Sequence, residues 1–276
     1  MITILDNFHT GSYENLVWSR GMKNVAVKKG ASEQIGKLKL AKVDSIFHLG
    51  MPSSSPMYKK NPQLVGETIN GALAIFELAR KHDAKVVYAS SSSLYNGVKA
   101  PQREDADIPV SDYYSETRLG IERIAELYRK LHGIESAGMR FFSVYGPREK
   151  AKGKYANIVS QFLWSMKAEK SPEIYGDGKQ TRDFIYVGDV VNACSLAMEK
   201  KTRGAYNVGT GKATTFKEVV AAINRALGTR IVPKYVQNTI KNYVEITQAD
   251  TAKSRKELGF EARVSLEEGI QLIRGV

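Results

Sequence analysis

Lys85-Val-Val-Tyr-Ala-Ser-Ser-Ser-Ser-Leu-Tyr-Asn-Gly97 is a short apolar run that passes straight into four consecutive hydroxyls, Ser90 to Ser93. Its first part, Lys85 to Ala89, is too short for a helix, is valine-rich, and ends at a turn, so it reads as a buried strand. Open α/β sheets gather their ligands at the carboxyl ends of their strands, which is where these hydroxyls fall. Working outward, Ile2 to Leu5, Val43 to Leu49 and Ser136 to Phe142 are strands of the same kind. Helical patterns lie between them. Val65, Ile69, Ala72, Phe76 and Ala79 share one stripe of a helix that Pro62 opens. Thr117, Ile121, Ile124, Tyr128 and Leu131 share another, with Gly133 as its stop signal. Strands alternating with helices predict an α/β fold built on a parallel, doubly wound sheet.

After Gly146-Pro147 the alternation loosens into a smaller α+β lobe. A helix from Asn157 to Lys167, a Gly176-Asp-Gly178 turn, a strand from Arg182 to Val187 and a helix from Asp189 to Glu199 follow in order. Thr215 with Glu218 and Ser265 with Glu268 have capping-box spacing at two helix starts. The expected division is residues 1–146 with 183–203 for the Rossmann-like, doubly wound domain, and 147–182 with 204–276 for the smaller lobe.

Composition narrows the class. The chain has 276 residues, 42% of them apolar and 25% charged, which is the balance of a globular protein. Cys194 is the single cysteine, so neither a disulfide framework nor a Cys-rich zinc site is expected, and no metal is called for. With no apolar run near the ~18 residues of a membrane span and no signal-peptide pattern, the expected location is the cytoplasm. The 41 basic residues against 29 acidic ones give a formal charge of +12. They are scattered over amphipathic segments without a zinc-finger or RNA-binding signature, so nucleic acid is not expected as a partner.

Three places carry chemistry. Asp6 ends the first strand, where an acid can bind both hydroxyls of an adenosine ribose, a preference for NAD over NADP; the bland reading is a turn residue. The Ser90–Ser93 run is the second. In Ser111-Asp-Tyr-Tyr114-Ser-Glu-Thr-Arg118 a tyrosine and a cation stand one helical turn apart. A cation nearby lowers a tyrosine's pKa from its usual ~10 and makes it a better base. The alternative is turn serines and a half-buried packing tyrosine.

LDNFHTG, VDSIFHLG, NPQLVGETINGA, VVYASSSSLYNG, YYSETRLGIE, MRFFSVYGPR, IYGDGKQTRDFIYVGDVVNA, AYNVGTG and ADTAKSRKELGF together resemble, in order and spacing, the NAD-dependent epimerase/dehydratase family. These are extended short-chain dehydrogenases of Rossmann-like fold that act on nucleotide sugars, and the likeness is greatest to the sugar-nucleotide 4-epimerases. The resemblance implies that Tyr114 is the base of a Tyr-x-x-x-Lys motif whose lysine is here Arg118, with Ser91 as the hydroxyl partner. It implies NAD contacts at Asp6, Asn7, Phe8, Leu49, Gly50, Met51, Pro52 and Ser90, beside Tyr114 and Arg118. It implies contacts to a nucleotide-diphosphate sugar at Ser53, Ser91, Ser143, Asn157, Tyr175, Arg182, Lys241 and Asp250. A homodimer through the two long helices is implied as well.

The implied reaction is epimerisation at C4 through a transient 4-keto sugar. A 4,6-dehydratase, decarboxylase or reductase on the same scaffold is the rival, as is a silent sugar-nucleotide binder. Dehydratases typically carry an acid after the catalytic hydroxyl, where this chain has Ser92 and Ser93. Departures from the family are expected to matter. A Gly-rich phosphate loop should lie ≈ 20 residues ahead of the ribose acid, yet five residues precede Asp6. The first strand-helix unit is therefore expected to be missing, through a shortened or misassigned start or in a real short form. Gly30-Ala31 replaces Gly-Asp, Ser143 replaces Asn, and Lys241 stands in for an arginine, while Asp250 and Lys253 are kept.

Overall fold

The computed structural model describes residues 1–240 and 243–275. Its first half runs β1 (Ile2–Asp6), β2 (Val25–Lys29), β3 (Ser45–His48), α1 (Ser55–Lys60), α2 (Leu64–His82), β4 (Lys85–Ser91), α3 (Tyr113–His132), β5 (Ser136–Phe141) and β6 (Ser143–Tyr145). The second half runs α4 (Ile158–Lys167), β7 (Glu173–Tyr175), β8 (Thr181–Arg182), β9 (Phe184–Tyr186), α5 (Val187–Glu199), β10 (Gly204–Val208), β11 (Thr214–Thr215), α6 (Phe216–Leu227), β12 (Lys234–Val236) and α7 (Leu266–Ile273).

The central sheet is parallel, in the order β10-β5-β4-β3. Both its faces are covered, which is why β4 and β5 are buried along nearly their whole length and apolar over Val86–Ala89 and Ala137–Met139. On one face Ile46, Val86 and Tyr88 meet Ile75, Phe76 and Ala79 of α2 and Ile121 and Ala125 of α3. On the other, Val87, Ala137 and Met139 meet Val190, Ala193, Cys194 and Ala197 of α5. Each large apolar side chain fully withdrawn from water contributes about 1.5–3 kcal/mol. Asp112 caps α3 by accepting from the Ser115 amide at 2.8 Å, and Gly133 ends the helix in the left-handed region at φ 72°.

β1 and β2 form a separate parallel pair. In the doubly wound order 3-2-1-4-5-6, β1 takes the place of strand 2, β2 that of strand 3 and β3 that of strand 4. The position of strand 1, between β1 and β3, is not filled by any strand among the described residues. What holds the pair to the body is α2: Leu5, Ile35, Leu38 and Leu40 pack into the α2 core. A side chain at Gly71 of α2 would collide with Ser32, so close approach needs glycine there.

The smaller lobe has its own core, in which Val159, Phe162 and Met166 of α4, Ile174 of β7, Phe184 of β9, Val219 and Ile223 of α6, and Ile270 of α7 interlock. Both capping boxes form, at Thr215 with Glu218 and Ser265 with Glu268.

Local readings are corrected in four places. Pro62 lies ahead of α2, whose N-cap is Gln63. The continuous strand from Arg182 to Val187 is two short strands, because buried Asp183 turns its carboxylate onto the amides of Thr210, Gly211 and Ala249 at 2.8, 2.8 and 3.1 Å. The helix after it starts at Val187, two residues before Asp189. Gly204–Val208, placed by sequence in the smaller lobe, pairs with β5 as an edge of the central sheet.

Candidate active site

A cavity of about 810 Å³ opens at the carboxyl ends of β3, β4 and β5 and reaches across to the smaller lobe. α3 points its first two turns into it. Tyr114 is 7% exposed and packs against Met57 and Tyr58, with the Tyr58 ring edge-on at 5.5 Å. Among the described residues its hydroxyl makes no hydrogen bond, which leaves it free for a ligand. Arg118, one turn further, is buried, with its guanidinium carbon 4.8 Å from the centroid of the Tyr114 ring. Its Nη2 donates to the Pro52 carbonyl at 2.7 Å and its Nη1 to the Met51 sulfur at 2.6 Å, while its buried Nε has no partner.

β4 delivers the hydroxyls. The Ser91 oxygen accepts from the Ser93 amide at 3.1 Å, so its proton stays available to donate. Ser90, Ser92 and Ser93 line the cavity beside it, as do Leu49, Met51 and Ser53 from the segment after β3. Gly50 and Pro52 belong to that segment without lining the cavity, and Pro52 serves by its carbonyl.

Arg182, Asn157, Ser143 and Thr247 form the far wall. Arg182 is held between two rings, Phe216 and Tyr243, each centroid 5.5 Å from its guanidinium carbon, and donates to the Thr181 carbonyl at 2.7 Å. Burial pushes its pKa below the ordinary arginine value. Asn157 caps α4, accepting from the Val159 amide at 3.0 Å and donating to Ser143 Oγ at 3.3 Å. Among the described residues no carboxylate lines the cavity.

Other expected residues stand outside this cavity. Asp6 accepts from the Phe8 amide at 2.6 Å and Asn7 from the His9 amide at 3.1 Å; with Phe8 they belong to the β1 turn, not to the lining. β1 is paired only with β2 and so is not brought alongside β3. Tyr175 sits on β7, 42% exposed, because its strand pairs with β12 at the lobe's outer edge. Asp250 caps a turn through the Ala252 amide at 2.8 Å. Lys241 lies outside the described residues.

Sequence reasoning passed over Lys152, Tyr155, Val187, Val190, Val191, Cys194 and Ser195, all in the lining. They come from α5 and from the segment before α4, and only the tertiary fold places them here. Burial pushes the Cys194 thiol up to about 12, which makes it packing and not a nucleophile. His48, at the end of β3, is 4% exposed, and its Nε2 has no partner. Burial, with the charge of Arg118, holds its pKa at about 4, so the ring is neutral at neutral pH.

A sequence profile of the NAD dependent epimerase/dehydratase family matches residues 11–209. The chain belongs to this family. Among relatives of the family, a UDP-glucuronate 4-epimerase of Thermodesulfobacterium geofontis is 31% identical over 83% of this chain and 71% of its own length. A UDP-glucuronic acid decarboxylase of Arabidopsis thaliana is 30% identical over 99% of this chain and 80% of its own. The UDP-glucose 4-epimerase of Thermotoga maritima, solved with UDP-glucose, superposes with a TM-score of 0.91 at 28% identity, covering 99% of this chain and 89% of that one. Tyr114, Arg118 and Ser91 line this cavity together with Leu49, Met51 and Ser90. Asp6 lies on the β1-β2 pair and does not line that cavity.

Proposed function

We propose that the chain is an NAD-dependent nucleotide-sugar 4-epimerase. The observation that carries this reading is the lining itself: Tyr114, Arg118 and Ser91 share one cavity with Arg182, and no carboxylate lines it among the described residues. A dehydratase needs an acid for its later proton transfers, and the places after Ser91 hold hydroxyls. The NAD-binding part comprises residues 1–146 with 183–208 in this reading, the edge strand β10 included, and the sugar nucleotide lies against 147–182 and 209–276.

Tyr114 takes the proton of the sugar 4-hydroxyl through its phenolic oxygen. Ser91 donates a hydrogen bond to the carbonyl that forms there, which helps hold the developing charge. NAD, when bound, supplies the acceptor of the C4 hydride and its return. The 4-ketone turns over between the two transfers, and Tyr114 then gives its proton back. Arg182 clamps the diphosphate, a planar fork matched to phosphate oxygens, with Asn157 and Ser143 beside it. Arg118 holds Met51 and Pro52, the floor on which the nicotinamide half rests. A second copy pairs through α2 and α3, where Leu73, Leu127 and Leu131 stay exposed; light scattering measures it.

The 30% identity to a UDP-glucuronic acid decarboxylase supports one rival. Incubation with NAD and with UDP-glucose, UDP-galactose, their N-acetyl forms and UDP-glucuronic acid separates the two. An isomer of unchanged mass is the expected product. Loss of carbon dioxide or water overturns the epimerase reading, and calorimetric binding of a UDP-sugar without any turnover identifies a silent binder.

A further inference from the structure

α3 carries three polar side chains on successive turns, Tyr114, Arg118 and Glu122. The first two face the cavity, and the third closes a buried network behind it. Arg140 of β5 donates to Glu122 through Nε at 2.9 Å and Nη2 at 2.7 Å, a two-pronged pair with side chains only 5% and 11% exposed. Ser90, the residue before the catalytic hydroxyl, donates to the same carboxylate at 2.5 Å. The other arm of Arg140 donates to the Tyr95 hydroxyl at 2.7 Å, which in turn donates to Asn207 at 2.7 Å. A separate tie runs from Ser115 Oγ to the Ser93 carbonyl at 3.1 Å.

The Ser91 turn is thus gripped on both flanks, at Ser90 and Tyr95, by one ion pair rooted in α3 and β5. Packing alone does not require such a pair, since a buried ion pair replaced by apolar residues often leaves stability unchanged or raised. What apolar residues cannot do is direct a hydroxyl-bearing turn relative to the helix that holds the base. We infer that Glu122, with Arg140, is a positioning residue that holds Ser90, so fixes Ser91 against Tyr114, and acts on the reaction only through that alignment. This rests on the assignment of Ser91 and Tyr114 as the proton-transfer pair.

Misplacement of a catalytic group by about 1 Å can cost 10²-fold in rate, whereas substrate binding depends on other contacts. Ser90→Ala removes the tie while leaving the ion pair, so it should lower kcat about tenfold or more with KM for UDP-glucose within about twofold. Ser90→Thr, which keeps the hydroxyl, should recover most of that loss. Adding Ser90→Ala to Glu122→Gln should cost little beyond Glu122→Gln alone, because both act through one bond. Amide hydrogen exchange of UDP-glucose-loaded protein supplies a readout independent of turnover: Ser90→Ala should speed exchange over residues 91–95 and leave 121–125 as they were. Unchanged exchange there overturns the positioning role even if the chain proves to have no epimerase activity. In an active enzyme, an unchanged kcat or a Ser90→Thr variant no better than Ser90→Ala also overturns it. A wild-type chain that turns over no UDP-sugar, with the exchange effect present, leaves the grip standing and removes the function assigned to the site.

Discussion

The guanidinium of Arg118 lies over the ring of Tyr114, 4.8 Å from carbon to centroid, while both its terminal nitrogens are spent on Pro52 and Met51. The cation therefore does two things at once: it places positive charge beside the proposed base, and it fastens the segment after β3 to α3. A lysine could supply the first of these but not the whole of the second, since one ammonium lacks the flat, multi-donor fork.

Tyr114→Phe is the direct test of the base. It removes only a hydroxyl that has no protein partner among the described residues, so the fold should be untouched. Turnover should fall by roughly 10²–10⁴-fold, the usual contribution of a positioned acid-base group. Calorimetric affinity for UDP-glucose should stay within about twofold. A variant that keeps near-normal turnover would show that the proton leaves by another route.

Arg118→Lys replaces a fork that donates to both the Pro52 carbonyl and the Met51 sulfur by an ammonium that cannot reproduce both contacts, and a lost hydrogen bond costs about 0.5–1.5 kcal/mol. Denaturant unfolding should show that cost. The sulfur and the carbonyl that the guanidinium holds belong to Met51 and Pro52, under the nicotinamide half, so KM for NAD should rise more than KM for the sugar nucleotide. Equal effects on both would mean that the guanidinium does not organise that segment.

Arg182 is fixed between Phe216 and Tyr243, and a stacked guanidinium is not interchangeable with lysine. Arg182→Lys should weaken UDP-glucose binding by about tenfold or more, equivalent to about 1.4 kcal/mol. Inorganic diphosphate should weaken in parallel, since the contact is to the phosphates. If sugar-nucleotide affinity holds, the diphosphate lies elsewhere in the cavity.

The strand ending in serines was legible as a short, valine-rich apolar run that ends at a turn, and the helix bearing Tyr114 and Arg118 by its 3.6-residue period and the Gly133 stop signal. Arg182 was legible from the resemblance and from guanidinium chemistry. What stayed hidden depends on contacts distant in sequence. Val25–Lys29 was not picked out as a strand because its two ends differ in burial, with Lys28 and Lys29 exposed. Asp6 has the expected place at a strand end, yet which cavity it faces is decided by the strand beside β1, and β1 pairs with β2 alone. Asp250 and Tyr175 carry suitable side chains whose partners, a turn amide and an edge strand, no local pattern announces. Glu122 and Arg140 are charged residues in ordinary positions until α3 is laid across β5.

His48 makes the fold sensitive to acid. Its pKa is held at about 4 by burial and by Arg118, against 6.5 for an unburied imidazole. Between those values the unfolded chain binds a proton that the folded chain refuses, so stability falls as pH falls. The contribution is whole above the unfolded pKa and is lost progressively down to the folded one. From about pH 7.5 to about pH 5 this residue should remove about 2 kcal/mol. Urea unfolding at the two pH values measures it, and His48→Gln should shrink the difference by that amount whatever its own stability. A His48→Gln chain with the wild-type pH difference would mean that the imidazole is protonated in the folded state at about pH 5, and that Arg118 shares its buried corner with a second positive charge.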